Sequence, residues 1–164
     1  RLRPAFRPLA MGLGMLALVV STAGCTSSVA MTPAPDANDP ACADVMVLLP
    51  AMVDGQQRRW TDAQGTGAWG DPLAVLLTCG VEVPGPSTLP CQTAGGVDWL
   101  VDDSSAPRFR FTSYGRTPAV EVYLEYGAPG EEGAVSGRAV LEALGPAVNR
   151  LPHTGQACQE RATD

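Results

Sequence analysis

The 164-residue chain contains no lysine and no isoleucine, and it has a single histidine. Both missing residue types use A/T-rich codons, so their absence points to a high-G+C bacterial genome rather than to a mechanism. All 11 basic residues are arginines, against 17 acidic residues. A surface so short of positive charge repels nucleic acid and anionic lipid headgroups, which argues against nucleic acid as a partner and against membrane contact through a basic patch. The lone histidine, His153, lies in Leu151-Pro152-His153-Thr154-Gly155, the setting of an exposed loop residue rather than a general base. No two cysteines stand at C-x-x-C spacing, so a zinc site lacks its ligands. A nucleophile elbow is missing as well: Gly133-Ala134-Val135-Ser136-Gly137 has the wrong spacing and falls at a predicted helix start. Phosphate-binding glycine loops are absent. These gaps leave no catalytic residue, no metal and no cofactor to assign.

What is present begins with a leader. Arg1, Arg3 and Arg7 precede an apolar run over residues 9–20, then Ser21, Thr22, Ala23, Gly24 and Cys25. Charge, apolar stretch and small residues in that order describe an export signal. The apolar run is shorter than the ~20 residues of a spanning helix. Ala23-Gly24-Cys25 is the end of a bacterial lipobox, with Thr22 where leucine is usual, and predicts cleavage before Cys25 and lipid attachment at its thiol. The expected organisation is a signal peptide over 1–24, a lipidated Cys25 and flexible tether over 25–38, an extracytoplasmic domain over 39–158, and a tail over 159–164. Cleavage removes three arginines, leaving 140 residues with eight basic and 17 acidic side chains, a charge of about −9. That length suffices for one domain with a core.

Four cysteines remain, Cys42, Cys79, Cys91 and Cys158, an even number that in an oxidising compartment reads as two disulfides. The preferred pairing is Cys42–Cys79 with Cys91–Cys158, which ties the first helix to a buried strand and the last segment to the domain. The rival is Cys79–Cys91 with Cys42–Cys158.

Asp39-Pro40 is a helix start, since Asp39 can cap and proline suits the first turn. Val45, Leu48, Leu49 and Met52 form the apolar face, Pro50 ends the helix, and Asp54-Gly55 turns the chain. Strands are expected over 56–61, 73–79 (buried on both faces), 97–101, 108–112 and 119–126. In the last two, Phe109 and Phe111 alternate with arginines, and Val120, Val122, Leu124 and Tyr126 alternate with Glu121, Tyr123 and Glu125. A hairpin loop over 113–118 sets Phe111 opposite Val120 and Arg110 opposite Glu121, which makes the arginines partners on a solvated sheet face. Ser136 caps a final helix with Leu141, Leu144, Val148 and Leu151 on one stripe, kinked or split at Gly145-Pro146. The predicted fold is a single α+β domain, an antiparallel sheet with an N-terminal and a C-terminal helix packed on it.

Asp98, Asp102 and Asp103 are close in sequence, but Asp102-Asp103-Ser104-Ser105 has the composition of a solvated turn, and Glu131-Glu132 that of a loop. Trp69, in Ala68-Trp69-Gly70-Asp71-Pro72, and Trp99, in Gly95-Gly96-Val97-Asp98-Trp99-Leu100, each have glycine and aspartate nearby. They read either as core residues with a bonded N–H or as an aromatic binding platform. Arg116, in the hairpin loop, lacks a cross-strand partner in that register. Trp69, Asp71, Trp99 and Arg116 are the candidate binding residues.

The ordered segments Cys42-Ala43-Asp44, Leu49-Pro50, Asp54-Gly55, Arg58-Arg59, Ala68-Trp69-Gly70-Asp71-Pro72, Cys79-Gly80-Val81, Gly96-Val97-Asp98-Trp99-Leu100, Gly115-Arg116 and Val120-Glu121-Val122 resemble an actinobacterial family of secreted proteins, the domain of unknown function 3515. The likeness spans residues 42–151 and implies location and domain boundaries but no activity. The leading expectation is a lipid-anchored, extracytoplasmic binding or assembly module without catalysis. Its partners are the membrane, through its lipid, and an envelope protein or small ligand. The alternatives are a small-ligand carrier or sensor built on Trp69 and Trp99, and a carboxylate-dependent hydrolase.

Overall fold

The structure, a computed structural model, describes residues 28–125 and 134–159. The leader over 1–24, Cys25, Tyr126, Glu131-Glu132 and residues 160–164 of the tail lie outside the described residues. The elements are α1 (Pro40–Leu48), β1 (Met52–Val53), β2 (Gln56–Arg59), β3 (Thr66–Trp69), β4 (Val75–Val81), β5 (Cys91–Ala94), β6 (Val97–Asp102), β7 (Phe109–Tyr114), β8 (Ala119–Leu124) and α2 (Gly137–Val148). The strands form one antiparallel sheet in the order β1-β2-β3-β4-β8-β7-β6-β5. The two helices touch each other; α1 also meets β4, and α2 meets β1 and β5. One core joins the helices to one face of the sheet. The α+β class holds, with β1, β3 and β5 in addition to the expected strands. All three are four residues or shorter, too brief to show a period.

Both helix starts follow from their caps. Asp39 Oδ1 accepts from the Ala41 N–H at 2.8 Å with Pro40 opening α1, and Ser136 Oγ accepts from the Ala139 N–H at 3.4 Å. The apolar face expected for α1 is corrected, however. Val45 and Leu49 are buried, but Leu48 and Met52 are half exposed, and Cys42 takes their place in the core. The Cys42–Cys79 bond fixes which side of the helix meets the sheet, and α1 ends at Leu48, so Met52 belongs to β1. In α2 the stripe of Leu141, Leu144 and Val148 is buried as expected, with Leu151 buried just beyond the helix end. The helix is not split at Gly145-Pro146. Gly145 is instead where α2 lies against the β5–β6 turn, and a Cβ there would run into the Gly95 carbonyl oxygen.

β4 begins at Val75 and is not buried on both faces. Val75, Leu77 and Cys79 are buried, while Leu76 and Thr78 are half-buried, because the helices cover only one face of the antiparallel sheet. The β7–β8 register also differs from expectation: Phe111 lies opposite Val122 and Arg110 opposite Tyr123. Strand β7 continues to Tyr114, so the turn is shorter than the six-residue loop that centred the first alignment. Ser113 Oγ accepts the Val120 N–H at 2.9 Å beside that turn. The shift is two residues, so every side chain keeps its face. Arg110 still meets Glu121, diagonally at 3.3 Å, and Arg108 pairs with Glu125 at 2.8 Å.

The segment expected to be a tether is docked over its described part. The Val29 N–H donates to the Trp60 carbonyl at 2.8 Å and the Val29 carbonyl accepts from the Asp62 N–H at 3.2 Å. The Met31 N–H reaches Asp62 Oδ1 at 2.8 Å, and the Asp36 N–H reaches the Gly80 carbonyl at 3.0 Å. Val29 and Ala37 are buried. Small, proline-rich composition reads as a linker, yet its backbone groups complete the edge and one end of the sheet.

Candidate functional site

The four residues singled out from sequence do not assemble into one site. Trp69 on β3 and Trp99 on β6 are both 0 % exposed. Their indole N–H groups are used internally: Trp69 Nε1 donates to the Pro50 carbonyl at 3.0 Å and Trp99 Nε1 to the Ala94 carbonyl at 3.1 Å. Four strand spacings separate β3 from β6, about 19 Å at ~4.8 Å each. The aromatic platform is therefore corrected to two core tryptophans, because strand alternation turns both toward the helices and a backbone carbonyl satisfies each polar handle. Asp71 is exposed where β3 passes into β4 and pairs with Arg59 at 3.2 Å. Arg116 lies at the opposite end of the sheet, where β7 passes into β8.

Arg116 is not an unpartnered loop residue. It is 4 % exposed, and its Nη1 donates to the Asn149 carbonyl at 3.3 Å and the Leu151 carbonyl at 2.9 Å, while Nη2 donates to Asn149 Oδ1. Asn149 in turn donates from Nδ2 to the Gly95 carbonyl at 2.9 Å. The arginine caps the carbonyl end of α2, which carries no basic residue in its own last turn. Burial lowers the guanidinium pKa from its ordinary value, and the Asp98 carboxylate opposes that shift. Backbone pairing reinforces the clamp: Arg116 bridges to His153, the Thr117 N–H donates to the Pro152 carbonyl at 3.0 Å, and the Thr154 N–H donates to the Gly115 carbonyl at 3.0 Å. The sequence hid this role, because Arg150 stands close to the end of α2 and looks like its cation. His153 is exposed, as its context predicts.

The cysteines pair as preferred, Cys42–Cys79 with Cα atoms 5.7 Å apart and Cys91–Cys158 at 5.5 Å. Asp98 supports the second bond, accepting from the Cys158 N–H at 2.7 Å and from Thr93 Oγ1 at 2.5 Å. Asp102 binds the Ser104 N–H at 3.0 Å, the turn that its neighbours' composition suggests. Its carboxyl is held below the usual value of 3.8 by the hydrogen bonds to Ser104 first and by Arg110 after them. Among the described residues, no group of three His, Cys, Asp or Glu side chains is placed to hold a metal.

The family model described as "Protein of unknown function (DUF3515)" matches residues 8–154. The chain belongs to this family. No curated protein and no solved structure matches it. The DUF3515 match takes in α1, the whole sheet and α2, so it covers the clamp and stops short of Cys158.

Among the described residues, three hollows are open: one of about 290 Å³ lies against α1 and is lined by Ala37, Met46 and Val47, and the other two bear on binding. One is a cleft of about 600 Å³ at the β5 edge, walled by Pro86, Leu89 and Pro90 on one side and by Ala157, Cys158 and Gln159 on the other, with Leu100 and Tyr114 also lining it. Leu100 and Tyr114 project from the sheet face away from the core, since each lies one residue from an inward neighbour, Trp99 and Ser113. The other is Trp60, which is 76 % exposed at the end of β2. With Arg58 and Arg59 it lines a hollow of about 250 Å³. Arg58 Nη1 donates to the Leu49 carbonyl at 3.2 Å, and burial lowers its pKa. The sequence reading passed over Trp60, although its polar flanks (Gln56, Gln57, Arg58, Arg59) distinguish it from the two buried tryptophans.

Proposed function

We propose that the chain is an exported envelope protein, lipid-anchored at Cys25 on the outer face of the cell membrane, that acts by binding a protein partner rather than by catalysis. The observation that carries the reading is that both cysteine pairs are bonded, the arrangement of an oxidising compartment. The order of charge, apolar run, small residues and cysteine in the leader supports the anchor. The β5-edge cleft is the binding surface favoured by geometry. The loop over 82–90 carries three prolines, so its wall is restricted before any partner arrives and loses less freedom on binding. Leu89 is a half-exposed apolar group on that wall. The cleft is half-open rather than enclosed, which suits an extended polypeptide segment better than a small molecule.

Crosslinking in intact cells followed by mass spectrometry is the test. Crosslinks to one envelope protein should map to residues 86–90 and 157–159 and disappear in Leu89→Arg. Metabolic fatty-acid labelling should mark the wild type and not Cys25→Ser. Equal labelling of the two would remove the anchor, and turnover by the purified domain would remove the non-catalytic reading.

A further inference from the structure

Two of the three tryptophans are fully buried, whereas Trp60 leaves most of its indole in solvent. The course of the chain beside Trp60 bears on what this surface meets. Val29 pairs directly with this edge: its N–H donates to the Trp60 carbonyl at 2.8 Å, and it bridges in parallel to Thr61. Val29 itself is buried there. Four residues lead from Cys25 to Val29, and at ~3.5 Å per residue they span at most about 14 Å. A lipid on Cys25 therefore holds the Trp60 edge within one short leash of the bilayer, whatever conformation the intervening residues adopt. Had residues 25–38 been a free tether, as composition suggested, the leash would reach about 49 Å over its 14 residues and would select no face.

We infer that the Trp60 edge of the sheet lies against the membrane surface, with the Trp60 indole at the level of the phospholipid headgroups. The inference rests on the lipid-anchor reading above. Tryptophan is the side chain best suited to that depth, because its ring is apolar and its N–H is a hydrogen-bond donor. The net charge of the chain is negative. Of the two arginines beside Trp60, Arg59 is paired with Asp71 and Arg58 donates to the Leu49 carbonyl, so the contact rests on the indole rather than on a basic patch. The β5-edge cleft belongs to the other edge strand of the sheet, which curls so that α2 reaches both β1 and β5.

The test uses the full acylated chain reconstituted into phosphatidylcholine vesicles that carry a spin label at the headgroup. Tryptophan emission should be quenched in the wild type, and that quenching should be lost in Trp60→Ser, since Trp69 and Trp99 are shielded in the core. Acrylamide provides a reading without any variant: its access to the wild-type fluorescence should fall when vesicles are added to the detergent-free chain. If the wild type floats with vesicles and carries its lipid, yet is quenched no more than Trp60→Ser, the inference is overturned and the anchor stands. If the chain bears no lipid, both fall. Shielding that rises with protein density in the vesicle and ignores the lipid label would assign the edge to a second copy, which also overturns the inference.

Discussion

A terminal segment packs beside each edge of the sheet, and the two are held by different chemistry. At the β1–β2 edge the N-terminal segment is held without a covalent link, by backbone hydrogen bonds of Val29 and Met31 and by burial of Val29, and it leaves Trp60 in solvent. At the β5 edge the C-terminal segment is held by the Cys91–Cys158 bond, by Asp98 on the Cys158 N–H, and by the buried Arg116 clamp on the end of α2. A hydrogen bond adds about 1 kcal/mol net, whereas a disulfide closing a long loop adds about 2–4 kcal/mol. The difference separates a covalently built edge, able to keep a cleft in shape, from a lightly held one set beside the proposed anchor.

The largest expected effect breaks the stronger edge. Cys91→Ser with Cys158→Ser opens a 67-residue separation and should cost about 4 kcal/mol on the chain-entropy estimate. Denaturant unfolding measures the loss, and hydrogen exchange should place it first in residues 150–159. A loss no greater than that of a single hydrogen bond would make the two edges equivalent. Arg116→Ala comes next, at about 2–3 kcal/mol, because three acceptors at the end of α2 lose a charged donor and the Leu151 carbonyl stays buried. This change should destabilise the fold rather than selectively weaken partner capture, and a thermal melt on the purified variant decides between those outcomes. At the other edge, Asp62→Ala removes the acceptor for the Met31 N–H and should cost about 1 kcal/mol or less. Faster exchange confined to Met31 and its neighbours, with the β5 edge unchanged, would sharpen the contrast.

Much of the local structure was legible because it depends on neighbours in sequence. Asp39-Pro40 and Ser136 cap their helices, Pro50 follows the end of α1, and the alternation through Phe109, Phe111, Val120 and Val122 names the inward face of β7 and β8. The register was not legible, since a two-residue shift keeps the same face and the turn was shorter than its composition suggested. The candidate site was misread for a related reason. Glycine and aspartate beside Trp69 and Trp99 suggested an open platform, but the partners of both indoles are backbone carbonyls, which no side-chain motif announces. Arg110 keeps Glu121 within 3.3 Å under either register because diagonal neighbours remain within reach of long side chains.

The sequence by itself determined the class of fold, the helix starts, the inward residues of the main hairpin and membership of the DUF3515 family. These rest on caps, periodicity and ordered motifs, which act over a few residues or repeat along the chain. Only the tertiary structure decided that residues 28–38 complete the sheet, that Arg116 caps a helix end more than 30 residues away, and which tryptophan faces solvent. Such outcomes depend on which buried N–H and C=O groups lack partners once the strands are assembled. That demand exists in the folded chain and leaves no mark on composition.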